Sequence, residues 1–304
     1  MNRTRTTLAA AVVTSALLGA VTTGVAQAQP PAPPLPPVLD LGSLSFGSLG
    51  IPAPDAPRLA SVPNFRDVAG TGSGYVGHGG THLNKGVLYR ADTIVPDDAD
   101  LAALERLGLA AVYDLRADDE VAEKPDRLPA GVEYVRIPIL SGNIADMIDQ
   151  IGSVEDSRNM MRDMNRAFVA GDAERAGFTR LLTELAQNDG RQVFHCTAGK
   201  DRTGWTSMLL LSLAGVDRAT IVQDYLLTNE YNREWAAKTR AHIAATQGEE
   251  AAILFEPLLG VEDSYLQAGL DEIDARYGSV DAYLTEGLGL STDTLDALRH
   301  KLLG

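Results

Sequence analysis

Cys196 and Arg202 are separated by Thr197, Ala198, Gly199, Lys200 and Asp201. Residues of these types at this spacing can hold a phosphate and attack it. A thiol is a useful nucleophile only as thiolate, and a helix N-terminus with Lys200 and Arg202 nearby favours that form, so Cys196 is expected to be ionised at neutral pH. Arg202 offers a planar fork of donors that can grip two phosphoryl oxygens at once, which the point charge of a lysine cannot match. Gly199 lets the backbone approach a ligand, and Gly204 permits close packing of the helix that begins there. Thr203 is placed to donate to the sulfur when it departs as thiolate. Thr197, Ala198, Gly199, Lys200, Asp201 and Arg202 would form the phosphate cradle, their N–H groups turned inward at a helix start, where unpaired donors and the positive end of the dipole favour an anion.

That cradle needs a strand before it and a helix after it. The apolar pair Val193-Phe194 comes after a turn signal at Asp189-Gly190, and a helical pattern begins after Gly204 and ends at Gly215. His195 would either orient the loop by hydrogen bonding or simply be a buried strand residue. Leu109 to Asp114 reads as a second apolar strand. Ligands of open α/β sheets gather outside the carboxyl ends of the strands, so Asp114 is expected at the same mouth as Cys196. An oxygen leaving phosphorus needs a proton, which a carboxylic acid can supply. Asp114 and Asp201 are the candidates, with Asp118, Asp119 and Asp163 behind them. Asp114 could equally brace an arginine.

His195 to Gly204, H-C-T-A-G-K-D-R-T-G, resembles the signature loop of cysteine-dependent protein tyrosine phosphatases, and its G-K-D-R-T-G form is similar to that of the secreted bacterial enzymes of the mycobacterial B type. N-F-R-D at Asn64 to Asp67, Y-R-A-D at Tyr89 to Asp92 and Y-D-L-R at Tyr113 to Arg116 also resemble that family, so the likeness runs over residues 60–304. The expected reaction is hydrolysis of a phosphomonoester through a phosphocysteine intermediate, with no cofactor and no metal. The resemblance implies protein phosphotyrosine as the main substrate. It also implies weaker action on phosphoserine or phosphothreonine and on phosphoinositides, whose extra phosphates Lys200 is placed to meet. Two other classes stay open: a sulfurtransferase, and a phosphate-reading module without turnover. The Arg202-Thr203-Gly204 sequence is less expected in the first, and a nucleophile is not needed in the second.

The expected fold is α/β: one domain with a central, mostly parallel sheet, helices on both sides, a helical lid insertion and a helical C-terminal part. Arg3 and Arg5, the apolar stretch Leu8 to Val25 and Ala26-Gln27-Ala28 read as a secretory signal peptide over residues 1–28, cleaved near Ala28. Residues 29–57, dense in proline, glycine and serine, read as a flexible linker, and 58–304 as the phosphatase domain. Secretion and an extracellular location are the corresponding expectations. With one cysteine the chain has no internal disulfide, and no later segment looks able to cross a bilayer. The formal charge of −15 becomes −17 once the two arginines of the acid-free leader are removed, which disfavours nucleic acid and anionic bilayers as general partners. The residues carry no signal for or against oligomerisation.

Along the domain, Gly86 to Arg90 and Glu133 to Ile139 read as strands, and Asp97 to Leu107 as an amphipathic helix. His78 and His82 sit in a glycine-rich hairpin without the further ligands a metal site needs. Residues 141–172 carry four of the six methionines at helical spacing. Methionine suits surfaces that repack, and the family resemblance favours a mobile lid here over core helices. Asp217 is expected to cap a helix bearing Ile221, Val222, Tyr225 and Leu226. A tryptophan-bearing helix should run from Thr228 to Thr246, and another should end at Gly278. Ser279 and Ser291 are read as caps of two more.

Overall fold

A computed structural model describes residues 53–139, 147, 148 and 150–304. Its centre is a sheet of β1 (Arg66–Asp67), β2 (Leu88–Ala91), β3 (Leu109–Asp114), β4 (Glu133–Arg136) and β5 (Arg191–His195). The order is β1-β2-β5-β3-β4, parallel throughout except for β1, which pairs antiparallel with β2. The mostly parallel sheet expected from the sequence is therefore present. The strand leading to Cys196 lies in the middle, with Ala91 and Asp114 both in register with His195. The tips of β2 and β3 thus flank the cysteine.

Side-chain alternation divides the strands between two cores. Tyr89, Val112 and Val193 join Phe65, Leu104 and Leu109 on one face, which α1 (Asp98–Leu107) covers. Leu88, Tyr113 and Phe194 join the larger core on the other. There α3 (Val154–Ala170) and α4 (Asp172–Gln187) pack with α5 (Asp201–Leu213), the helix on the far side of the cysteine loop. Trp205 of α5 is fully buried, its ring 5.9 Å from that of Phe168 and 6.5 Å from that of Tyr283. Between α5 and α3 comes α10 (Asp263–Tyr277), close enough that a Cβ on Gly269 would lie 2.5 Å from the Trp205 ring. Between α5 and α10 the chain forms α6 (Arg218–Leu226), α7 (Thr228–Tyr231), α8 (Arg233–Gln247) and α9 (Glu249–Leu259); α11 (Thr292–Leu303) closes it.

Helix ends fall where the capping residues stand. Asp97 accepts from Asp100 N, Asp217 from Thr220 N, Ser279 from Ala282 N and Ser291 from Thr294 N, while Gly108 and Gly278 end their helices in the left-handed conformation.

Several expectations change. The helix expected over Thr228 to Thr246 breaks at Asn232, whose side chain is diverted to the cysteine loop. Helix α9 is not anticipated by the sequence pattern. The strand expected over Glu133 to Ile139 stops at Arg136. The lid expected over 141–172 is, where described, part of the core: Ile148, Met160, Met161, Met164 and Phe168 are buried in the larger cluster, and α3 packs along α10. Helical spacing of methionines is the same for a repackable cover and a buried face, so burial alone separates them. Residues 140–146 and 149 lie outside the described residues, as do 1–52, on which the expected leader and most of the expected linker fall. Packing on the domain begins before residue 58: Asp55 is paired with Lys85, and the Arg58 guanidinium lies 3.7 Å above the centre of the Tyr231 ring.

Candidate active site

The loop from Cys196 to Lys200 connects the carboxyl end of β5 to the first turn of α5, which opens at Asp201, three residues before the point that the apolar pattern marks. Arg202, Thr203 and Gly204 therefore belong to the helix N-terminus, where free N–H groups and the dipole favour an anion. Gly199 has φ 62°, and a Cβ there would sit 2.4 Å from Ala91 O, so this position admits only glycine.

The loop carbonyls are tied down from behind. Asn64 Nδ2 donates to Gly199 O at 2.8 Å and Ala198 O at 3.3 Å; Asn232 Nδ2 donates to Ala198 O at 2.8 Å, Arg90 Nη2 to Gly199 O at 2.9 Å, and Thr93 Oγ1 to Thr197 O at 3.0 Å. With these carbonyls pinned outward, the peptide groups present their N–H sides to the concave face. Asn64 itself has φ 59°, a left-handed conformation that asparagine tolerates better than most residues. Asp224 accepts from Arg66 Nε at 3.3 Å, Arg90 Nη1 at 2.9 Å and Tyr75 Oη at 3.2 Å, and so anchors two of the motifs around the loop.

Arg202 is gripped by a residue that sequence reasoning missed. Glu120, in the first turn of α2 (Asp118–Glu123), takes Nη2 on Oε1 at 2.7 Å and Nη1 on Oε2 at 2.8 Å, and also accepts from Thr197 Oγ1. Burial would raise the Glu120 carboxyl, but the charge and hydrogen bonds of Arg202 overcome it and hold it at about 2. Leu115 O accepts from Nη1 at 3.1 Å and Thr197 Oγ1 from Nη2 at 3.2 Å, whereas Nε enters none of these bonds. A two-oxygen grip on phosphate thus requires Thr197 to release Nη2. The only hint of Glu120 in the sequence was its place one turn beyond Tyr113-Asp114-Leu115-Arg116.

Asp114 reaches the mouth region and is occupied there. It is fully buried, accepts from Arg116 Nε at 2.9 Å, Arg116 Nη2 at 2.7 Å and Tyr134 Oη at 2.6 Å, and faces His195 Nε2 at 3.8 Å. Burial pushes its carboxyl up, but His195 and the Arg116 bonds hold it well below the usual carboxylate range, so it has no proton to give at neutral pH. Of the two roles open to Asp114 in the sequence, the geometry fits the brace. Asp126 Oδ2 takes Arg116 Nη2 at 2.7 Å and lies 3.2 Å from His195 Nε2. Burial disfavours the charged imidazole, yet Asp126 and Asp114 raise it on balance. Oxygen and nitrogen atoms of Asp114, Asp126 and His195 lie within 4.8 Å of one another, as metal ligands would, but Arg116 already supplies the cation between the two carboxylates.

The other candidates divide between the loop and the surface. Asp201 Oδ2 is 3.2 Å from Lys200 Nζ, and Oδ1 is buried without a partner. Lys200 is also bonded to Gly260 O at 3.1 Å. Thr203 Oγ1 is buried and unpartnered. Asp118 pairs with Arg136 and Asp163 with Arg166, both on the surface, and Asp119 accepts from Glu120 N. His78 packs its ring over Gly215, and His82 Nδ1 contacts Gly74 O, so the hairpin uses each for structure.

Residues 57–304 match the tyrosine phosphatase family. The triple specificity protein phosphatase PtpB of Mycobacterium tuberculosis is 34% identical over 81% of this chain and 99% of its own length. A tyrosine-protein phosphatase of Nostoc commune is 32% identical over 82% and 91%, and a Cupriavidus necator protein is 34% identical over 83% and 94%. With the match spanning nearly all the described residues and the cysteine loop inside it, the chain belongs to the tyrosine phosphatase family.

Proposed function

We propose that this protein-tyrosine phosphatase works through a phosphocysteine formed on Cys196, with Asp201 as the acid. Support comes above all from the loop between β5 and α5, whose carbonyls are pinned outward by Asn64, Arg90 and Asn232 while Glu120 braces Arg202. Cys196 Sγ attacks phosphorus, the bond to the tyrosyl oxygen breaks, and Asp201 delivers the proton that oxygen needs. Water then attacks phosphorus, Asp201 takes its proton, and the sulfur leaves as thiolate, with the unpartnered Thr203 hydroxyl assigned to donate to it. Arg202 and the N–H groups hold the equatorial oxygens throughout. Asp201 and Asp114 are both ion-paired, but Asp201 keeps one buried oxygen, Oδ1, without a partner, whereas both oxygens of Asp114 are bonded to Arg116, which favours Asp201.

The decisive experiment is phosphate release from phosphopeptides by wild type and Cys196→Ser. The variant is expected to bind but not turn over; residual turnover above about one per cent, a barrier increase of only about 2.7 kcal/mol, would overturn the phosphocysteine route. Asp201→Asn should slow alkyl phosphates far more than aryl phosphates with good leaving groups, and equal losses would remove it from the acid role.

A broader range, taking in phosphoserine, phosphothreonine and phosphoinositides, is part of the same proposal. The name of the mycobacterial relative supports breadth. Lys200, which also holds Gly260 O and Asp201, is the cation for a second phosphate. Lys200→Ala should therefore lose more on a soluble phosphoinositide than on a phosphotyrosine peptide. Export is proposed as well, from the leader-like residues 1–28; mature protein in the medium beginning at Gln29 is the expected observation.

A further inference from the structure

Helix α7 is a single turn, and Asn229 within it and Asn232 at its end reach to different segments. Asn232 holds the cysteine loop through Ala198 O at 2.8 Å. Asn229 grips one residue of the turn between α9 and α10 twice: its Nδ2 donates to Val261 O at 2.8 Å, and its Oδ1 accepts from Val261 N at 2.8 Å. The preceding residue is Gly260, and a Cβ there would sit 2.8 Å from Asn229 Oδ1, so the clamp closes only because that position has no side chain. Gly260 O in turn accepts from Lys200 Nζ at 3.1 Å. One short helix thus fixes both the cysteine loop and the carbonyl that receives the lysine of that loop.

Lys200 needs such a fixture. Its ammonium is a compact charge on a flexible stem, so its place is set by the groups its three N–H donors meet. It is 5% exposed, and among the described residues its partners are Gly260 O and, at 3.2 Å, Asp201 Oδ2. The pair with Asp201 is longer than the roughly 2.7–2.9 Å of a tight charged hydrogen bond, as befits an ammonium shared between two acceptors. A carboxylate attracts it more strongly than a neutral carbonyl does, so without Gly260 O the charge would settle on Asp201. With both acceptors in place, one N–H is left for an anion. The turn that carries Gly260 O has little packing to hold it on its other side, where an open cavity of about 300 Å³ is lined by Val154, Ile253, Pro257, Gly260 and Val261. Arg158 bonds Glu262 across it at 2.9 Å, two residues past the carbonyl.

We propose that Asn229 is a positioning residue for substrates with a second phosphate: by clamping Val261 it keeps Gly260 O on Lys200, and so keeps the ammonium available to the additional phosphate of a phosphoinositide. The inference rests on Lys200 as the cation for that phosphate. It assigns substrate selection to a residue outside the cysteine loop, one that acts only through Lys200.

The test is a double-mutant cycle in the full-length protein, with kcat and KM measured on a soluble phosphoinositide and on a phosphotyrosine peptide for wild type, Asn229→Ala, Lys200→Ala and the double variant. Asn229→Ala should raise KM for the inositide about tenfold, with kcat nearly unchanged and a smaller rise for the peptide, because a phosphate away from the reacting one is bound alike in the ground and transition states. In the Lys200→Ala background the same substitution should have no further effect. Gly260→Ala, whose Cβ meets Asn229 Oδ1, should reproduce the pattern from the other side of the clamp. If thermal melts show one of these two variants unfolded, the other decides. Equal losses on the two substrates, no loss, or losses that add to those of Lys200→Ala would overturn the proposal, since a merely structural role for Asn229 has no reason to vanish when Lys200 is absent. Failure of the Lys200 reading looks different: Lys200→Ala would itself show no preference between the substrates, or wild type would not turn over the inositide, and the proposal would fall with it.

Discussion

β5 is flanked by two groups of buried charge. On one side, β1 and β2 deliver Arg66 and Arg90 to a single carboxylate from α6. On the other, β3 ends at Asp114, which with Asp126 encloses Arg116 and His195. Both groups lie at the carboxyl ends of parallel strands and both contact the segment that carries Cys196. The first reaches the loop carbonyls and has positive charge in excess; the second reaches His195 and is closed upon itself. The difference teaches that proximity to the mouth does not make a carboxylate an acid. A carboxylate already bonded to a guanidinium is a brace, and an acid needs an oxygen with no such partner.

The largest effect should come from opening the acid-rich group. Asp114→Asn removes one of the two carboxylates that face the buried Arg116 guanidinium, with Asp126 still in place, and is expected to reduce stability by about 3 kcal/mol in urea melts. Where it remains folded, aryl and alkyl phosphates should lose activity equally; a selective loss on alkyl phosphates would return Asp114 to the acid role. Because the folded carboxyl is held below its ordinary value, its stabilising contribution is complete above about pH 4 and is lost as the pH falls further, so the gap between wild type and variant should close in acid.

Next in size is the brace on Arg202. Glu120→Gln leaves a neutral group where the guanidinium met a carboxylate, and kcat/KM should drop on the order of 100-fold, equivalent to about 2.7 kcal/mol. A loss confined to KM would mean that Glu120 tunes binding without shaping the transition state.

At the tip of β2 the pH signature should reverse. Burial pushes the Asp92 carboxyl up to about 6. The fold therefore favours the protonated acid, and stability attributable to this residue falls as the pH rises from about 4 through 6. Asp92→Asn should be more stable than wild type at pH 8 by on the order of 2 kcal/mol, with the gain vanishing below pH 4. A gain independent of pH would point to packing.

The smallest effect belongs to the exposed rim of the acid-rich side. Asp118 pairs with Arg136 at 2.8 Å, but its side chain is 91% exposed, and Asp118→Ala should change the melting free energy by no more than about 0.5 kcal/mol. A larger change would show that the closed group extends to the surface.

What was legible in the sequence was local. Cys196, Gly199, Arg202 and the strand, loop and helix around them are written within a dozen residues, and so are the caps at Asp97, Asp217, Ser279 and Ser291, because a cap or a tight turn depends on neighbours along the chain. The α/β class was legible for the same reason, from apolar strands alternating with helical patterns. The partners of these residues were not legible. Glu120 lies 82 residues from Arg202, Asp224 lies 134 from Arg90, and Asn232 lies 34 from Ala198, separations that only the folded chain closes. The methionines of α3 looked the same as a lid or as core until packing buried them. Asp114 offered the same carboxyl to a substrate or to Arg116, and its charge was decided by desolvation and by the neighbours that the sheet brought to it. Sequence alone determined which groups could do chemistry and which short elements carry them; tertiary structure decided which of those groups are free to act, because burial and long-range pairing set their protonation and orientation.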